Sequence, residues 1–164
     1  MLKKTLGSIM LISATLLSSC SMPPTKPPLT PLQIQLMQTK TFNIDKRTAF
    51  DSTVTVMQNL GYIVKNANFD TGIITAKSTQ SADFWGNSKY TEASAFIKYR
   101  QSKKDSSIRI NFVLHKIDQN TNSDGGMGAP ITSSAAVEDP QAYKNAFTKI
   151  QQQIFVDTGV SPTQ

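Results

Sequence analysis

The chain has 164 residues, one cysteine, one histidine, and 17 Lys and Arg against 11 Asp and Glu, for a formal charge of +6. That length suits one domain with extensions and leaves no room for a second core. The basic residues Lys46, Arg47, Lys65, Lys98, Arg100, Lys103 and Lys104 are scattered among acids instead of forming a stripe, which argues against a nucleic-acid partner.

Residues 1–19 read as a secretory signal: Lys3 and Lys4 precede an apolar run from Ile9 to Leu17. The run is too short to span a bilayer, which takes about 20 apolar residues. Its removal would take two of the six charges, leaving 6 − 2 = +4. The end of the run, Leu17-Ser18-Ser19-Cys20, resembles the lipobox of bacterial lipoproteins. That resemblance implies a diacylglyceryl group on the Cys20 sulfur, cleavage before Cys20 and acylation of the new N-terminus. The competing reading is a stray thiol behind an ordinary secretory signal, for which no A-x-A-like cleavage site is visible. Two or more acyl chains hold a protein firmly to a membrane, whereas one binds marginally. In bacterial lipoproteins an Asp after the cysteine favours inner-membrane retention, and here the residue is Ser21. By the same resemblance the chain is expected at the outer membrane, facing the periplasm. With no second cysteine, no disulfide can form within one copy, and the fold must rely on its core.

Residues 20–37 read as the lipidated cysteine and a Pro-rich linker, in which Pro23, Pro24, Pro27, Pro28 and Pro31 favour an extended polyproline spacer and order begins from Gln33. A PxxP ligand for a signalling module is the alternative. Residues 38–158 read as the folded domain and 159–164 as a flexible tail. Thr39 to Ile44 alternates as a strand. Asp45 offers an N-cap for a helix over Lys46 to Leu60, with Phe50, Val54, Met57 and Leu60 at helical spacing and Gly61 as its stop. Tyr62 to Asn68 and Gly72 to Ser78 form two strands of a hairpin, with Gly72 at the position that tolerates positive φ. Gln80 to Tyr90 has neither period and reads as a loop. Glu92 to Arg100 alternates, with Ala93, Ala95, Ile97 and Tyr99 on one face. Ser107 to Ile117 alternates most cleanly, with Ile108, Ile110, Phe112 and Leu114 on one face and Arg109, Asn111 and His115 on the other. Residues 119–138, including DGGMGAP, form a long insertion of the kind that is functional or disordered, with an edge strand within Ile131 to Val137. Asp139-Pro140 starts a helix in which Tyr143, Phe147, Ile150 and Ile154 step by four, three and four, ending near Val156.

The order is β-α-β-β-β-β-α. Helices with one apolar stripe and strands with one apolar face bury those surfaces together, so the expected fold is an α+β two-layer sandwich: a mainly antiparallel sheet with two helices on one face. Ala49-Phe50, Leu60-Gly61-Tyr62-Ile63-Val64 and Asp70-x-Gly72-Ile73-Ile74 resemble the helix-grip repeats of the BamC lipoprotein family of the outer-membrane β-barrel assembly machine. The chain is also similar to a broad set of proteobacterial lipoproteins that begin near Gln38-Thr39 and close with a D-P-x-x-Y helix, here Asp139-Pro140 to Tyr143. The first resemblance implies a helix-grip fold and an accessory role in an envelope protein complex; the second implies no activity.

The residues carry no signature of catalysis. His115 is the lone histidine and has no orienting partner evident in the sequence, Glu92 and Glu138 are the only glutamates, and no G-x-S-x-G, H-E-x-x-H, P-loop or dinucleotide fingerprint occurs. No metal set and no cofactor beyond the covalent lipid on Cys20 is expected. Binding remains. Phe84 and Trp85, in a polar stretch, are candidate partner contacts, because Trp is enriched at interface hot spots; tucking over the core edge satisfies Trp85 equally. The polar strand face with Lys98, Arg100, Arg109 and His115 is the second candidate, with a plainly solvated face as its alternative. The functional expectation is a non-enzymatic, lipid-anchored periplasmic component of a barrel-assembly or secretion machine. The runner-up is a ligand-binding module whose sheet–helix groove holds a lipid or peptidoglycan fragment.

Overall fold

The computed structural model describes residues 28–83, 86–119 and 128–159. Within them the elements follow as α1 (Pro31–Met37), β1 (Thr39–Phe42), α2 (Lys46–Asn59), β2 (Tyr62–Asn68), β3 (Ile73–Ser78), β4 (Ser81–Ala82), β5 (Ser88–Arg100), β6 (Asp105–Asp118), β7 (Ile131–Ala136) and α3 (Pro140–Thr158). All seven strands join one antiparallel sheet, as the alternation predicts.

The backbone of the sheet is the β5–β6 hairpin, paired from Ser88↔Ile117 to Arg100↔Asp105. Its 13-residue arm β5 reaches about 40 Å. β3 and then β2 continue the sheet beyond β5, with the little β4 beside them. Along the far side of β6 lie two strands end to end. β1 pairs with its first half and β7 with its second. Between them the ladder is bridged by single bonds: Ile110 N donates to Gln38 O at 2.8 Å, and Val137 N donates to Phe112 O at 2.9 Å.

One face of the sheet supplies Phe42, Ile74, Ala76, Ala93, Ala95, Ile97, Ile108, Ile110 and Phe112 to the core, and α2 and α3 close over them. α3 buries Tyr143, Ala146, Phe147, Ile150 and Ile154, the expected stripe joined by one alanine. It runs to Thr158, two residues past the expected end, and stops at Gly159 with φ 67°. In α2 the buried face includes Ser52 and Thr53, which a search for apolar spacing passes over. Both are satisfied: Thr53 Oγ1 donates to Ala49 O at 2.6 Å, and Ser52 Oγ donates to Asp157 Oδ2 of α3 at 2.6 Å. Both buried hydroxyls are thereby paired, and the Ser52 bond ties α2 to α3.

Two expectations are corrected. Residues 31–37 are a helix, so Pro31 starts an ordered element and does not continue the extended linker. Pro31 occupies the first helical turn, where a missing N–H costs nothing, and Thr30 with Gln33 forms a capping box. Its last residue, Met37, packs on the core, so the folded unit begins before residue 38. The stretch Gln80 to Tyr90 is not wholly a loop, since Ser81-Ala82 pairs with Ser88-Lys89 and β5 starts at Ser88. Its side chains are mostly polar, so no apolar alternation marks it; its ladder partners alone make it a strand.

Candidate functional site

Among the described residues, the face of the sheet turned away from α2 and α3 is left uncovered over most of its width. Its side chains follow from the register. One cross-strand row contains Asn68, Ile73, Phe96, Arg109 and Thr39; the next contains Asn66, Thr75, Ser94 and Asn111; a third contains Ile63, Lys77, Glu92, Val113 and Ala136; a fourth contains Tyr90, His115 and Ser134. The small polar row between two rows of larger side chains forms a trough across the strands. One half, about 410 Å³, is lined by Lys65, Thr75, Lys77, Glu92 and Val113. The other, about 490 Å³, is lined by Ile34, Gln38, Ile73, Phe96 and Arg109, and the two share Ser94 and Asn111.

The first row bears the exposed apolar surface. Ile73 and Phe96 are direct cross-strand partners and are 41% and 47% exposed, and Ile63, on the same face, is 54% exposed. Arg109 stands beside Phe96, held by Gln38: Arg109 Nη2 donates to Gln38 Oε1 at 3.1 Å while Gln38 Nε2 donates to Asn111 Oδ1 at 3.2 Å. Gln38 is buried, so the guanidinium is anchored by a fixed amide and its charge faces no carboxylate among the described residues.

A second cluster lies six residues along β6 from Arg109, about 20 Å away. His115 stacks on Tyr90 with centroids 4.6 Å apart, and Lys77 Nζ sits 3.6 Å from the Tyr90 ring centroid, a cation–π contact. Ser134 Oγ lies 2.8 Å from His115 Nδ1, a hydrogen bond whose direction follows the imidazole tautomer. His115 Nε2 is 3.3 Å from Glu92 Oε2 but out of line for a hydrogen bond. Serine, imidazole and carboxylate therefore stand in sequence, a pattern invisible in the chain because Glu92 and Ser134 come from different strands. Neither Ser134 nor His115 lines any of the grooves described here, and the arrangement ties β7 to β6 and β5.

The other sequence candidates fall elsewhere. Lys98 is exposed on the same sheet face, opposite Ser107. Arg100 is engaged at the hairpin end, where Nε and Nη2 donate to the two carboxylate oxygens of Asp105, each at 2.6 Å. The guanidinium holds the Asp105 carboxyl below the usual range and is itself raised by that hydrogen bond. Cys20, Phe84 and Trp85 lie outside the described residues. The residues bracketing positions 84 and 85 are pinned: Asp83 N donates to Asn87 O at 2.9 Å, and Asn87 N donates to Asp83 Oδ1 at 2.9 Å. On the helical side a recess of about 340 Å³ opens between Leu60, Tyr62, Phe112, Val137, Ala142 and Ala146, and burial there pushes the Tyr62 hydroxyl above its usual value. Among the described residues no group of three His, Cys, Asp or Glu side chains comes together to hold a metal ion. The chain matches no family model and no curated protein.

Proposed function

We propose that this protein is a non-enzymatic, lipid-anchored periplasmic component of an outer-membrane or envelope machine, such as a barrel-assembly or secretion complex, and that it binds a protein partner through the open face of its sheet. The observation that carries the reading is the row Ile73–Phe96–Arg109: two exposed apolar side chains in register beside an arginine whose side chain is already positioned. Apolar and aromatic anchors next to Arg are what interface cores use, and the conformational cost of fixing this Arg on binding is already met by Gln38. Diacylglyceryl attachment at Cys20 would supply the membrane tether. No helix among the described residues is long and apolar enough to cross a bilayer.

The test is affinity purification from detergent-solubilised native membranes. Wild type is compared with Phe96→Ser, Arg109→Ala, Trp85→Ala and a Cys20→Ala form. Stoichiometric envelope proteins retained by wild type and lost with Phe96→Ser support the reading, and loss of membrane association in Cys20→Ala supports the anchor. A protein that emerges alone refutes it. The recess beside Tyr62 favours a second reading, a module that binds a lipid or peptidoglycan fragment; it predicts a small molecule in the mass spectrum of the purified chain, lost in Ala142→Trp at the partly buried rim of that recess.

A further inference from the structure

Sheets end in edges, and each edge presents unpaired N–H and C=O groups that another strand can take. The edges here are treated unequally. β2 carries a bulge where the register shifts between Val64 and Asn66, with Lys65 at the irregularity. β4 has two residues, and β1 has four, with Lys40 among them and α1 leading directly into it. These are the devices that blunt an edge: bulge, lysine, shortness and cover. Among the described residues β7 has none of them. It is six residues long, ITSSAA, without charge, proline or glycine, and it pairs with β6 in unbroken register from Val113↔Ala136 to Asp118↔Ile131. All six residues are exposed.

The Val137–Phe112 bond fixes which groups point outward. Odd-numbered residues of this segment turn their backbone groups toward β6, so Thr132, Ser134 and Ala136 direct theirs away from the sheet. Among the described residues β7 pairs with β6 alone. The strand is also held in place before any partner arrives, by the Ser134–His115 bond and by Tyr143 Oη, which donates to Val137 O at 2.8 Å just past its end.

We propose that β7 is the contact edge of a two-fold dimer, in which two copies of this chain pair antiparallel through β7 and join their sheets. A two-fold axis at Ser134 places Ser134 opposite its counterpart and each Thr132 opposite the other copy's Ala136. Three such pairs exchange about six hydrogen bonds. The occupant follows from charge. The chain carries +6, and self-pairing through β1 or β2 would bring Lys40 or Lys65 toward its own copy, whereas β7 opposes only small neutral side chains. It has no charge or pocket that would select a foreign strand, and isologous pairing is the commonest closed assembly. The inference is independent of the partner reading above, because it uses the edge of the sheet and not its face.

The test is sedimentation velocity of the full chain in detergent, across protein concentration. Wild type should show a concentration-dependent dimer. Thr132→Pro deletes an outward N–H without touching the β6 ladder and should raise the dimer dissociation constant at least about tenfold with the thermal midpoint preserved. Ser134→Lys and Ser134→Glu should each be monomeric, and an equimolar mixture of the two should recover a dimer. A wild type monomeric at every concentration overturns the proposal. So does a dimer indifferent to Thr132→Pro and to both charged variants, or a mixture that fails to recover pairing.

Discussion

Tyr143 offers a sharp test of how the sheet holds together where β7 gives way to β1. Its hydroxyl donates to Val137 O at 2.8 Å and accepts from Phe112 N at 3.4 Å, closing the one place along β6 where neither strand pairs. The side chain is 1% exposed, and its ring packs on Phe112 with centroids 5.3 Å apart. Tyr143→Phe keeps the ring and its packing but removes the hydroxyl, leaving Phe112 N–H and Val137 C=O without a partner. A net hydrogen bond is worth about 1 kcal/mol and an orphaned buried group costs about 1–3 kcal/mol. The 3.4 Å bond belongs at the low end, so the expected loss is about 2 kcal/mol. At about 2.1 cal/mol/K per residue, a domain of about 120 residues unfolds with an entropy of about 0.25 kcal/mol/K, and the midpoint should fall by about 8 °C. Urea melts give the free energy, and amide exchange at Phe112 should accelerate beyond the global change. A loss below about 0.5 kcal/mol, with Phe112 exchange unchanged, would refute the idea that the hydroxyl completes the ladder.

Other outcomes follow from the same geometry. Gly72 sits at φ 73° and a Cβ there would collide with the Ile97 carbonyl oxygen, so Gly72→Ala should cost about 3 kcal/mol or more in urea unfolding. Gly61 has the same sign of φ, at 83°, but open space around it, so Gly61→Ala should cost only about 1–2 kcal/mol. Asp45 caps α2, accepting from Thr48 N at 3.0 Å, and Asp45→Ala should cost about 1 kcal/mol. That backbone bond lowers the Asp45 pKa, and the Arg100 hydrogen bond lowers that of Asp105. Both folded-state values lie below the unfolded ones, so the stabilisation is fully present above the unfolded carboxylate range, about 4, and is lost as pH falls through the lowered folded values. The urea midpoint should therefore drop on acidification below about pH 4, and less so in the Asp45→Asn, Asp105→Asn double variant. On the open face, Phe96→Ser should leave the thermal midpoint within about 2 °C, since the ring is 47% exposed, while partner capture falls.

Much of the architecture is determined by the sequence alone, because its signals are local. The N-cap Asp45 and the terminator Gly61 bound α2 within a residue, Asp139-Pro140 starts α3, and period-two alternation in β5 and β6 marks Ala93, Ala95, Ile97, Ile108, Ile110 and Phe112 for the core, although Tyr99 and Leu114 on the same expected face stay half-buried outside it. The α+β class follows from those stripes, since each apolar face has only the others to bury against. Other features were decided by tertiary structure. Pro31 is a helix start only because Thr30 and Gln33 cap the turn and Met37 finds the core. Ser88 to Thr91 is a strand because β6 lies beside it, with little apolar pattern of its own. The candidate site is legible only through register: Ile73, Phe96 and Arg109 come from three strands, and only cross-strand pairing puts two ordinary isoleucine and phenylalanine side chains beside a fixed arginine. The same holds for His115, whose companions Glu92 and Ser134 are 23 and 19 residues distant in the chain but neighbours on the sheet. Periodicity tells which face a side chain takes; pairing between strands is a long-range choice, made by the whole core, and it alone decides which side chains meet.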